Sequence, residues 1–480
     1  MSDTAPTRTF AATLLPPIRL PGPGFRSVRV RPPWRWPRVG TTLAAGLGTL
    51  VSLAPGLLPR TPTTQAVLTG LLVAVAFAFA GLIRLVIRRR GNRAGDPTGP
   101  RRLILAVAVI AVLAMVIHAG AWQNTLRAAM GVASIGPGYW VRWGVGTALL
   151  TGSLMLVVRG SRRLLRWVGW SRVAVTAVVA GLLVAFFGVP ALVDWGRGTY
   201  AAANASVDPD MVRPATFTRS GSAESMVNWT SLGREGQRFV TSGPSGAVRV
   251  YVGLRSAPDL AGRAELAVRE LERTGGFDRS HLVIAVPTGS GWVDARALEG
   301  FGMRFGGDVA VVALQYSYAP SWATFIFGRR AAAVSAQALF TAVEKYAATL
   351  PRPPRLYLYG QSLGALGGSA VFTDPAEQNR RACSVLWAGK PGGGGPEPGA
   401  RTAVLANISD PVVHWSPGLL WRPPNLSATR RDAPIPRWLP VVSFLQTTAD
   451  LLGALDAPPG HGHRYGIDQG TVLPPCDRTG

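Results

Sequence analysis

Five apolar stretches in the first 197 residues, Thr41–Leu58, Ala66–Ile83, Leu103–Trp122, Gly138–Val158 and Val173–Val193, set the strongest limit on what this chain can fold into. Each is close to the roughly 20 residues that carry a helix across a bilayer. Hydrocarbon offers no water to backbone amides, so even these Val-rich runs read as helices. Pro55 interrupts the first run, and Arg142 leaves the fourth uninterrupted only from Trp143 to Val158. The expected unit is an N-terminal all-α transmembrane helix bundle of about five spans over residues 41–197. The Pro- and Arg-rich residues 1–40 lack an apolar signal-peptide core and read as a disordered cytoplasmic tail.

Charge along the chain gives the expected orientation. Lys and Arg total 50 against 25 acidic residues, a net +25, which by itself would raise nucleic acid as a partner. Yet residues 1–197 hold 23 basic and 3 acidic residues, and 198–480 hold 27 and 22. The excess sits between apolar runs, which excludes a nucleic-acid binder and a simple soluble enzyme. The tail and the second and fourth connections carry 19 Arg, whereas the first and third carry Arg60, Arg127 and Arg142. The bias of basic residues toward cytoplasmic loops places the N-terminus inside and, after five spans, the rest outside, at the plasma membrane. Trp34, Trp36, Trp122, Trp140, Trp143, Trp167 and Trp170 fall near the expected membrane edges, where indole rings anchor. His118 is the one titratable group well inside a span, and no partner for it is evident.

After a connector over 198–244 the pattern changes. Val248–Val252 alternates like a half-exposed strand, while Leu282–Val286, Val309–Leu314, Leu356–Tyr359, Ser384–Trp387 and Ala403–Ile408 suit strands buried on both faces. Helical patterns over Ala261–Arg273 and Ala331–Leu350 separate them. Strands alternating with helices imply, for residues 245–480, an α/β domain with a mostly parallel sheet flanked by helices.

Gly360-Gln361-Ser362-Leu363-Gly364 follows a strand and opens a helix of small residues. A nucleophile elbow needs this layout: Ser362 sits on a strained strand-to-helix turn, and Gly360 and Gly364 avoid clashes on either side. A Ser nucleophile needs a base, and the base an orienting carboxylate, in the chain order Ser, acid, His. Asp410 follows the run Thr402–Ser409 and takes the acid position; Asp374, Asp432, Asp450, Asp456 and Asp468 do not directly follow a strand-like run. Of five histidines, His461 and His463 lie in the polar loop Pro459–Gly466, where the base should come from. The choice between them stays open, with His461 favoured as farther from the final helix. Oxyanion donors are expected from the Leu363 N–H and from Thr288 or Gly289 in the Gly-rich loop Val286–Trp292. No metal site or cofactor is called for.

The stretch from about Ser231 onward resembles the actinobacterial membrane-anchored α/β-hydrolase family, a multi-span N-terminal domain followed by an α/β-hydrolase catalytic domain. The resemblance rests on Ser231–Val240, Thr288–Asp294, Gln315–Tyr318 with Pro320–Trp322, the Gly360–Gly364 elbow, Asp410–Val412 with Trp415–Pro417 and Leu420–Trp421, and Gly460–Gly466. Gln361 stands where Glu is common in such elbows. The resemblance implies serine-hydrolase chemistry and supplies no substrate. The expectation is a membrane-embedded serine hydrolase acting on an ester or thioester, with membrane lipids and a hydrophobic acyl substrate as partners. An acyltransferase on the same scaffold and a non-catalytic transporter or receptor are the alternatives. Tyr316, Tyr318, Trp322, Trp415, Leu419, Leu420 and Trp421 offer themselves as acyl-site lining or as core and lid. Cys383 and Cys476 fall in the expected external domain, where a disulfide is permitted; Cys383 equally suits an inert core thiol.

Overall fold

The computed structural model describes residues 37–90, 100–206, 210–243 and 246–475. Trp34, Trp36, Cys476 and almost all of the expected tail lie outside them.

The N-terminal region is helical: α1 (Val39–Ser52), α2 (Pro62–Arg89), α3 (Arg101–Ala129), α4 (Pro137–Val168), and α5 (Trp170–Leu183) continued through a π turn into α6 (Val189–Ala205). Four helical segments, α2, α3, α4 and Val175–Ala205, are long and apolar enough to cross a membrane. The expected first span is shorter than its sequence run: α1 has 14 residues, about 21 Å at 1.5 Å per residue. Pro55 has no N–H to continue the helix, and the chain beyond Ser52 finds other partners. Gln123 accepts from the Arg60 amide at 3.0 Å, and Trp122 Nε1 donates to Gly56 O at 3.0 Å. Small residues let the helices approach closely. A Cβ on Gly146 would stand 2.9 Å from that of Ala66, and one on Gly70 2.8 Å from Leu150. Thr69 Oγ1 ties three helices, accepting from Ser52 of α1 and Trp143 of α4. Trp122 and Trp143 thus serve packing bonds, whereas Trp167 is exposed, as is His118.

The second unit runs α7 (Gly233–Thr241), β1 (Val248–Val252), α8 (Leu260–Arg273), β2 (His281–Val286), α9 (Ala295–Arg304), β3 (Val309–Leu314), α10 (Ser321–Phe327), α11 (Arg329–Ala347), β4 (Arg355–Gln361), α12 (Leu363–Gly368), α13 (Pro375–Arg381), β5 (Ser384–Ala388), β6 (Thr402–Leu405), α14 (Pro411–His414), α15 (Val442–Asp450) and α16 (Asp468–Thr471). The six strands form one parallel sheet in the order β1-β3-β2-β4-β5-β6. Right-handed crossovers put α8 and α11 on one face, where they pack together with α12, and α9 on the other with α16. The strand order reverses beside β2 and β4, so their C-terminal ends flank the crevice where ligands bind in such sheets.

β1 departs from the alternating pattern expected of it: all five residues are buried, including Arg249. The chain at Arg219 bridges to Arg249 along its outer edge, and α7 and α8 cover its faces. Burial lowers the Arg249 guanidinium to about 10, with the nearby Arg219 adding to the effect. Val227, Leu232, Phe239 and Val240, N-terminal to the sheet, are part of this same core.

The two units meet through the first and third connections. Leu57 and Leu58, with Leu126 and Met130, form an apolar cluster with Ala457. Arg60 pairs with Asp450 at 2.8 Å, both buried, and Asp450 also accepts from the Leu57 amide at 2.7 Å. Burial pushes the Asp450 carboxyl up, against the pull of Arg60.

Candidate active site

β4 delivers Ser362 to the reversal point of the sheet. Ser362 has φ 56° and ψ −123°, and among the described residues only Val441 shares a positive φ without being Gly. Such a conformation costs roughly 1–3 kcal/mol and persists where the surroundings impose it. Here they do. A Cβ on Gly360 would lie 2.4 Å from the Gly364 carbonyl carbon, and one on Gly364 2.1 Å from Val286 O. Both flanking glycines are therefore required by backbone approach. Gly368 lies as close to the Trp387 ring, at 2.6 Å from a built Cβ, which seats α12 on the sheet. The Ser362 amide donates to Ala388 O at 2.8 Å, tying the turn to the end of β5.

Five residues beyond the end of β6, Asp410 caps α14 by accepting from the Val412 amide at 2.8 Å. Its other oxygen, Oδ2, faces His463 Nδ1 at 2.7 Å and accepts from the Tyr465 hydroxyl at 2.7 Å. Asp410 is fully buried. Burial alone would raise its carboxyl, but the charge and hydrogen bond of His463, with the Tyr465 and Val412 donors, hold it below the ordinary carboxylate range. Tyr465 stays a donor, because burial and the neighbouring carboxylate push its hydroxyl far up.

His463 is the histidine that meets Asp410. Its ring packs on Gly389, the residue after Ala388, with Cε1 2.7 Å from where a Cβ there would stand. Gln361 Nε2 donates to its carbonyl at 3.4 Å. The ring thus lies beside the strand ends that carry Ser362, and its Nε2 is buried without a hydrogen-bond partner. His461, favoured by sequence position, turns elsewhere: its Nδ1 lies 3.1 Å from Asp432 Oδ2. Asp432 also holds the Ser409 hydroxyl, which accepts from the Gly462 amide at 2.8 Å. The αL turn at Gly462, φ 54°, is what aims the two histidines apart.

The Gly-rich loop after β2 packs against Gly364 through Val286 and Pro287, and so borders Leu363. The Thr288 amide closes that loop on Trp292 O at 2.9 Å and is not free to meet a ligand. The Gly289 amide donates to the rotatable Ser321 hydroxyl at 3.2 Å. Leu363 begins α12, so its N–H is one of the orphan donors of a helix start. Of the aromatic and apolar residues offered as acyl lining, Tyr316 and Leu419 are buried, whereas Trp322 and Trp421 are exposed.

Tyr465 was not singled out from sequence, although it stands in the same loop as the two histidines. Tyr465→Phe is expected to cost about 1.5–3 kcal/mol, the worth of a hydrogen bond to a charged group. The sign with pH follows from Asp410. A carboxylate held low stabilises the fold above its unfolded value and loses that contribution as pH falls through the folded value. Removing the Tyr465 donor raises the folded value, so the acid loss should begin at higher pH in the variant. Thermal unfolding followed from pH 7 downward checks this; identical acid limbs would contradict it.

Two family models match the chain. The alpha/beta-hydrolase family model covers residues 248–395 and 394–472, and the alpha/beta-hydrolase family N-terminus model covers 53–244. No curated protein matches. Among solved structures, a Trichoderma reesei cutinase in complex with a C11Y4 phosphonate inhibitor is similar at 15% identity, over 40% of this chain and 84% of that one, with a TM-score of 0.23.

Proposed function

The chain belongs to the alpha/beta-hydrolase family, with that family's N-terminal domain ahead of it, and from this we propose that it is a membrane-embedded serine hydrolase acting on an acyl ester. The observation that carries the reading is the buried Asp410–His463 pair at 2.7 Å, its Nε2 unpartnered and its ring packed on Gly389, next to the Ala388 carbonyl that holds the amide of a serine at φ 56°. In the proposed sequence Ser362 Oγ attacks the acyl carbon while His463 Nε2 takes its proton. Asp410 holds the imidazole in the tautomer with Nε2 free and stabilises the imidazolium that forms. The Leu363 N–H receives the developing oxyanion. The Gly289 N–H joins it when the Ser321 hydroxyl rotates away, and Thr288 shapes the loop. The tetrahedral adduct collapses, the alcohol leaves with the proton from His463, and water activated by the same nitrogen releases the acid.

The test is turnover of a soluble short-chain p-nitrophenyl ester by the purified full chain. Ser362→Ala should reduce turnover by a factor of about 10³ or more. A variant as active as the parent would refute the proposal. Products formed with and without an added alcohol separate hydrolysis from acyl transfer.

We place the catalytic unit outside the plasma membrane. Two features support this. The connections that touch it are the Arg-poor first and third, so the Arg-rich second connection lies at the opposite ends of the helices. This support holds whether or not α1 crosses completely. Cys383 is disulfide-bonded, as suits an oxidising compartment. Envelope lipid esters are then the substrates within reach. Glu265→Cys, on the exposed side of α8, should react with a membrane-impermeant maleimide in intact cells, and Arg159→Cys only after lysis. The reverse pattern would overturn the placement.

A further inference from the structure

The proposed base sits on a loop that the catalytic unit does not hold alone. His463 donates its amide to Ala454 O at 3.0 Å, four residues beyond Asp450. Asp450 is the buried partner of Arg60, which belongs to the first connection of the helical region. Arg60 bonds that carboxylate through Nε at 2.9 Å as well as Nη2, and it also reaches Gln446 one helical turn earlier. Gln446 in turn donates to Val51 O, so the last turn of α1 is stitched to α15. Next to the histidine, Gly462 has a positive φ and no side chain. A Cβ there would meet Ala457 at 2.8 Å and Leu58 Cδ2 at 3.2 Å. The turn between His461 and His463 is therefore pressed between its own loop and the helical region. Gly56 is equally constrained, since a Cβ on it would stand 2.6 Å from Arg60 Nη2 and 2.7 Å from Asp450 Oδ2. A second tether reaches the opposite side of the site. Gln315 Nε2, just past β3, donates both to Asn204 Oδ1 of α6 at 3.0 Å and to Ser290 O of the Gly-rich loop at 2.9 Å.

We propose that the first connection of the helical region is a working part of the active site, with Arg60 and Leu58 as positioning residues that hold the His463 loop in register with Ser362. The proposal rests on the reading of His463 as the base. It gives the helical region a role beyond anchorage. It also gives a role to the single Arg of the first connection, which is buried rather than facing solvent.

The experiment compares full-length parent, Arg60→Gln, Arg60→Lys and Leu58→Ala in the same detergent by hydrogen exchange and by ester turnover. Arg60→Gln should speed exchange of the 454–466 amides selectively, leaving β2, β3 and β4 protected. Its kcat should fall by about tenfold to a hundredfold with KM little changed, as expected when a base is displaced by about 1 Å. Arg60→Lys, which keeps the charge but not the forked contact, should recover part of that loss. If Arg60→Gln loosens the whole sheet, Leu58→Ala, which trims the apolar contact on Gly462 and its cluster but leaves the Arg60–Asp450 pair in place, carries the comparison. Folded variants with parental exchange at 454–466, or with selective loosening but parental kcat, overturn the proposal. Exchange is read without turnover, so a parent that hydrolyses no ester would sink the functional reading while this comparison still stands or falls by itself.

Discussion

His463→Ala should lower kcat by a factor of about 10³–10⁴, while His461→Ala should lose less than about tenfold. The two residues are two positions apart in one Gly-rich loop, and only geometry separates them. His463 Nδ1 faces the buried Asp410 at 2.7 Å and leaves Nε2 unpartnered. In the proposed mechanism no other group would take the serine proton without that imidazole, and Asp410 would be left buried with Tyr465 and Val412 as its remaining donors. His461 instead pairs with Asp432, and through Ser409 it braces the Gly462 amide. Its loss relaxes the loop but removes no proton acceptor. Steady-state rates on the same soluble ester, with thermal unfolding recorded for each variant, check the pair. A larger loss at His461 would mean that the two histidines exchange roles in solution.

Gly364→Ala should be the most damaging single-methyl change near the site. The added Cβ would stand 2.1 Å from Val286 O and 2.9 Å from Pro287 O. Both are backbone atoms, so no rotamer change relieves the clash, and the elbow must separate from the Gly-rich loop. Overpacking of this kind costs about 1–3 kcal/mol or more. A shift of about 1 Å in the serine or its oxyanion donor takes a further factor of about 10² from the rate. Gly302→Ala is the matched control. It lies inside α9 with nothing within 4 Å of a built Cβ, so the change should leave activity alone and stabilise by about 0.5–1 kcal/mol. Thermal unfolding and turnover measured on both variants decide it; equal behaviour of the two would contradict the packing argument.

Local pattern made the sheet legible. Val309–Leu314 matches β3 residue for residue, and the other buried strands agree to within a few residues, because apolar runs bounded by Gly and Pro have few other ways to be buried. The elbow was legible for a similar reason: its glycines are needed by contacts within four residues and with the adjacent strand. Asp410 was placed by its position after a strand-like run. What sequence left open depends on long-range contacts. The choice of His463 is made by Gly462, Ser409 and Asp432, which come together only in the fold. In sequence Thr288 is as suitable a donor as Gly289, but in the fold its amide closes on Trp292 O. The break of the first span at Ser52 has a local cause in Pro55, but two of the partners that hold the chain there, Gln446 and Asp450, lie about 390 residues away. The alternation of β1 misled because Arg249 reads as solvent-facing in sequence and is covered in the structure.

Covalent trapping tests the central claim most directly. The purified full chain is treated with a fluorophosphonate, digested, and mapped by mass spectrometry. The account predicts one adduct, on the peptide containing Ser362, absent from heat-denatured protein and from Ser362→Ala, and formed about 10³-fold more slowly in His463→Ala. An adduct on another residue, or equal labelling of the parent and Ser362→Ala, would contradict it.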